Sequence, residues 1–115
     1  MLITLLTSFS SNFAERSDFT LKHEIDSLKI LVDNCPTDTC KFAILTHFYW
    51  KISSSEVPKA NEIGLWAFDV IKFSSNLKAR SDGYDIMGNI FKTEKKYDSA
   101  DVFYTKALDI SKATC

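Results

Sequence analysis

Chain breakers are scarce in this sequence. Its 115 residues contain only three glycines, Gly64, Gly83 and Gly88, and two prolines, Pro36 and Pro58. An average chain carries roughly 12% of these two residues. β-rich domains rely on Gly and Pro to turn at short intervals, whereas helices exclude both from their interiors. The apolar residues must therefore be buried by long helices joined by short connections, which makes the expected fold all-α. Apolar residues form 45% and charged residues 25% of the chain, ordinary values for a soluble domain with one core. Lys and Arg total 14 against 15 Asp and Glu, so the basic excess of a nucleic-acid-binding surface is missing.

The first fourteen residues differ from the rest. Met1 to Ala14 carries no charge, and the first charged residue is Glu15. An apolar run followed by small polar residues and Ala has the pattern of the end of a secretory signal peptide, although no Lys or Arg precedes it. Residues 1–14 are read either as a signal-peptide remnant or as a disordered arm, with 15–115 as the helical domain. The run is too short to span a membrane.

Cys35 and Cys40 sit in Asn-Cys-Pro-Thr-Asp-Thr-Cys, and Cys115 is the last residue. With no second ligand pair nearby, this spacing argues against a metal site. A local disulfide at a loop–helix junction is open to an exported chain. The preferred expectation is two free thiols, with Cys40 half-buried at a helix start.

Apolar periodicity marks five helices. Segment 22–34 places Ile25, Leu28, Leu31 and Val32 at helical spacing and stops at Pro36. Segment 38–53 has Thr37 or Asp38 as N-cap and is apolar over most of its circumference, which requires packing on more than one side. Segment 58–74 opens on Pro58 at a favourable first-turn position. Ala60, Gly64 and Ala67 lie along one of its stripes. Segments 79–92 and 97–112 complete the set. Gly64 and Gly88 each cost about 1 kcal/mol in a helix interior, so each marks a place where another helix approaches closely.

A repeat joins these segments. Ala60 and Ala67 are seven apart, as are Ala100 and Ala107, and 40 residues separate the two pairs. Ahead of the second pair stand Tyr84, Met87-Gly88 and Phe91, and between its alanines stands Tyr104. This succession resembles the tetratricopeptide repeat. A first, imperfect copy spans 38–74 and a clear one 79–114. In the first copy Phe48 takes the Leu place, Tyr49 the Gly place and Ile52 the second aromatic place, while Gly64 replaces the inner aromatic. The order of parts further resembles the N-terminal sensor region of Bacteroidetes tetratricopeptide histidine kinases and transcriptional regulators.

That resemblance implies a short right-handed superhelix of stacked helix pairs. It implies a concave face lined by Thr46, Trp50 and Ser53 in the first copy and by Asp82, Asp85, Asn89 and Lys92 in the second. The partner would be a protein or peptide, bound without a cofactor, on the exported or periplasmic side of a bacterial membrane or else in the cytoplasm. Membrane contact would come only through downstream segments outside this sequence. Trp50 either lines the groove or packs beneath helix 22–34. Asp82 and Asp85 occupy the places of a basic carboxylate clamp, which disfavours that mode of recognition. Catalytic motifs are missing, and His47 is expected as a core histidine, so the chain is read as a non-catalytic module. Val102, Phe103 and Leu108 do not resemble a polar cap. The chain is therefore expected either to be a fragment or to self-associate through helix 97–112, and a self-associating adaptor is the alternative function.

Overall fold

The structure, a computed structural model, describes residues 13–114, and all its regular elements are α-helices. They are α1 (Phe13–Asp33), α2 (Asp38–Ile52), α3 (Val57–Ile71), α4 (Leu77–Thr93) and α5 (Tyr97–Thr114). Met1–Asn12 and Cys115 lie outside the described residues. α1 takes in Phe13 and Ala14, so it begins well before Lys22 and runs across the boundary set by the first charge.

Local chemistry explains each start and stop. The Thr37 hydroxyl accepts from the Cys40 amide at 3.2 Å and caps α2. Cys35 and Cys40 are joined in a disulfide, with Cα atoms 5.7 Å apart, across the elbow between α1 and α2. This corrects the expectation of free thiols: the elbow folds two residues of opposite helix ends to within bridging reach. Pro58 sits in the first turn of α3. That helix stops at Ile71, short of the expected 74, and leaves Phe73 89% exposed in the turn. Asn76 then opens α4 by accepting from the Ala79 amide at 3.0 Å. α4 ends in a Schellman turn, with the Lys96 amide on the Phe91 carbonyl and the Lys95 amide on the Lys92 carbonyl. Lys95 takes the left-handed conformation there, at φ 63°.

Helices pack chiefly on their neighbours in sequence, most closely α4 on α5 and α2 on α3. The result is a strip of 58 × 35 × 20 Å with a radius of gyration of 16.9 Å, against about 13 Å for a ball of this length. α1 contributes Leu21, Leu28 and Val32 to the core, and α2 contributes Leu45 and Tyr49. Ala60, Ala67, Ala100 and Ala107 are all buried, which lets the paired helices approach.

The glycines show how close that approach is. A Cβ on Gly88 would lie 2.7 Å from the Tyr104 ring, across the α4–α5 contact. A Cβ on Gly64 would lie 2.8 Å from Ile90 Cδ1 and 2.9 Å from both Ile86 and the Tyr49 ring. Each pair thus has one glycine hole and one tyrosine knob. In α4–α5 the glycine is on the first helix and the ring on the second; in α2–α3 the order is reversed. Phe103 turns inward and stacks on Phe91 at 5.4 Å and Tyr84 at 6.0 Å, with Phe68 of α3 closing the cluster. Buried Ser81 ties the far end of the pair by donating to the Ala107 carbonyl at 2.9 Å.

With Phe103 inside, the outer side of α5 changes character. Val102 and Leu108 are both 53% exposed, yet at 100° per residue they lie about 120° apart around the helix. Asp98, Asp101, Thr105, Asp109 and Lys112 fill the strip between them, all exposed.

Candidate functional site

Two stripes of equal spacing face one groove. On α2 the stripe is Thr39, Ala43, Thr46, Trp50 and Ser53; on α4 it is Lys78, Asp82, Asp85, Asn89 and Lys92. Both follow i, i+4, i+7, i+11 and i+14, the spacing of residues that share one helical face. A groove of about 440 Å³ runs between the helices, lined by Thr39, Phe42, Ala43, Thr46 and His47 on one side and by Asn76, Lys78, Ala79 and Asp82 on the other. Further along, Asn89 Nδ2 donates to the Tyr49 hydroxyl at 2.7 Å and closes the gap between the two helices.

The residues expected on this face are positioned as follows. Thr46 is half-buried, and its hydroxyl is buried without a hydrogen-bond partner. Trp50 is 48% exposed, so it does not pack beneath α1; its ring meets the Tyr49 ring edge-on at 4.8 Å. Ser53 spends its hydroxyl on the Trp50 carbonyl at 3.2 Å and acts as the C-cap of α2. Asp82 accepts from Lys78 at 3.3 Å, an exposed i, i+4 pair of small energetic weight. Asp85 has no such ion pair: burial, together with the neighbouring Asp82, pushes its carboxyl above the ordinary range, and Lys78 only partly opposes this. Lys92 is exposed at the end of the stripe. His47 is exposed on the rim and is not a core histidine. It lies 100° further around α2 than Thr46 and borders the groove from outside the core.

The chain matches no family model, no curated protein and no solved structure. The site is therefore read on its own chemistry. Among the described residues no cluster of three or more His, Cys, Asp or Glu is arranged to hold a metal ion, and no helix is long and apolar enough to cross a membrane. Of the stripe residues, Thr39, Ala43, Thr46, Lys78 and Asp82 line the groove itself, and the same two faces continue past it with the exposed Trp50 ring, the Asn89 amide and the Asp85 carboxyl. These are groups that hold a polar ligand.

The sequence singled out the stripe residues but not Tyr49. It is fully buried, and burial drives its phenol pKa upward against the opposing effect of the Asn89 bond. Its signal was present: Tyr49 in a glycine place and Gly64 in an aromatic place are two departures that compensate one another. Lys78 was also missed, because it lies one residue before the segment assigned to the helix.

Proposed function

We propose that this chain is a non-catalytic, peptide- or protein-binding helical module of the tetratricopeptide type, serving as the sensory part of a larger signalling protein. Its ligand is an extended segment of a partner lying along the groove between α2 and α4. The observation that carries this reading is the pair of equally spaced stripes across one groove, with an exposed Trp50 level with Asn89. Peptide backbones need hydrogen-bonding side chains at regular intervals, and aromatic platforms supply contact area at low entropic cost. The Cys35–Cys40 disulfide favours an exported setting, since such bridges persist in oxidising compartments.

The alternative, an adaptor that self-associates through α5, requires a contiguous apolar face. The aspartates and lysine between Val102 and Leu108 give a second copy little such surface to bury.

The test is selection of a phage-displayed random 12-residue peptide library on residues 13–115, followed by binding of the recovered peptides in solution. Trp50→Ala should weaken binding at least tenfold while leaving the helical circular dichroism and thermal midpoint unchanged, since the ring is half outside the core. Recovery of no peptide, or peptides whose binding ignores both Trp50→Ala and Asp85→Ala, would refute the proposed groove.

A further inference from the structure

The inverted knob and hole in α2–α3 has a consequence for the groove. A ring carried by α2 and seated over Gly64 reaches across to α4, where its hydroxyl meets Asn89 Nδ2 at 2.7 Å. Tyr49 is fully buried, so its hydroxyl requires a partner inside the protein. The Asn89 amide is that partner, and it is half-buried on the ligand-facing stripe. An amide has a carbonyl oxygen and two N–H groups. With one N–H spent on Tyr49, the carbonyl and the second N–H are held in a single orientation. A free Asn side chain would lose its rotamer freedom on binding; here that freedom is lost on folding. The same ring supports Trp50 edge-on at 4.8 Å. One buried residue therefore touches both groups at the level where the two stripes correspond.

We propose that Tyr49 is the positioning residue of this groove: a peptide ligand meets an Asn89 amide whose orientation Tyr49 has already set. This rests on the peptide-binding reading above. It also explains why the first pair departs from the repeat pattern at both Tyr49 and Gly64: only the α2 placement carries a hydroxyl to α4.

Tyr49→Phe tests it, because the ring and its packing are retained and only the hydroxyl is removed. In the wild-type chain, proton NMR should show cross-relaxation between the Asn89 side-chain amide and the Tyr49 ring. The variant should keep the helical spectrum while the Asn89 amide becomes rotationally averaged. Using the tightest peptide from the 12-residue library as probe, Tyr49→Phe should bind about five- to tenfold more weakly, the effect of one lost hydrogen bond. Combined with Asn89→Ala, it should add nothing beyond Asn89→Ala alone, a non-additivity that a general loss of stability would not produce. Equal binding by Tyr49→Phe, additive losses in the double variant, or no amide–ring contact in the wild type would overturn the role of Tyr49 and leave the groove reading intact. Failure of the wild type to yield any peptide would overturn both.

Discussion

Gly64→Ala probes a point where side chains of α2 and α4 close on a glycine of α3. Two effects oppose each other. Replacing Gly by Ala in a helix interior stabilises by about 1 kcal/mol through backbone entropy. The added methyl would sit 2.8 Å from Ile90 Cδ1, 2.9 Å from Ile86 Cγ2 and 2.9 Å from Tyr49 Cε1. Ile90 presents the far end of a flexible chain and can rotate away. Ile86 presents a methyl attached at its branched Cβ, which is stiff, and Tyr49 is pinned by its bond to Asn89. Two of the three neighbours cannot yield without moving a helix, which places the overpacking cost near the upper end of about 1–3 kcal/mol. The net expectation is a loss of about 1–2 kcal/mol, or roughly 5–10 °C in thermal midpoint for a domain of this size. Urea denaturation followed by circular dichroism measures it, with an unchanged m-value as the check that the unfolded surface is the same. Gly88→Ala is the internal control. Its methyl would lie 2.7 Å from the Tyr104 ring, a partly exposed side chain on α5, so the loss should be smaller, under about 1 kcal/mol. A Gly64→Ala protein as stable as wild type, or one more stable than Gly88→Ala, would refute this account of the α2–α3–α4 contact.

Three further outcomes are expected. Lys95→Gly should stabilise the chain by about 1 kcal/mol in the same urea assay, because Lys95 holds a left-handed conformation that a side chain disfavours and glycine does not. Replacing both Cys35 and Cys40 by Ala should cost about 2 kcal/mol from the entropy of closing so short a loop; the faster amide exchange should be concentrated in α1, the helix that the bridge ties to the start of α2. Asp85→Asn should raise stability at pH 7. The native carboxyl titrates above its usual 3.8, chiefly through burial and then through Asp82. The native state therefore binds its proton more tightly than the unfolded chain, and stability falls as pH rises through the native value. Above that range the charge is a cost that Asn removes; below about pH 4 both states are protonated and the advantage of the variant should vanish.

Much of the fold was legible from residue order. Periodicity located five helices, and capping chemistry placed Thr37 and Pro58 at helix starts. The small residues at 60, 64, 67, 88, 100 and 107 marked where helices touch. Other features were not legible, because each depends on a distance between segments. Cys35 and Cys40 read as free thiols until the elbow brought their Cα atoms to 5.7 Å. Trp50 and His47 belong to a helix apolar almost all round, so its amphipathic pattern could not say which side stays open; the positions of α1, α3 and α4 decide that. Phe103 looked like part of an exposed face until Phe68, from a helix two elements earlier, joined Tyr84 and Phe91 around it.

Helix content, helix order and the membership of each stripe follow from the sequence by itself, because they depend on backbone geometry repeated every 3.6 residues. The closure of the disulfide, the burial of Phe103, the polar outer strip of α5 and the reach of the Tyr49 hydroxyl to Asn89 were decided only by the tertiary structure. Each is a meeting of side chains far apart in the chain, and no local pattern encodes the distance between them until the helices are packed.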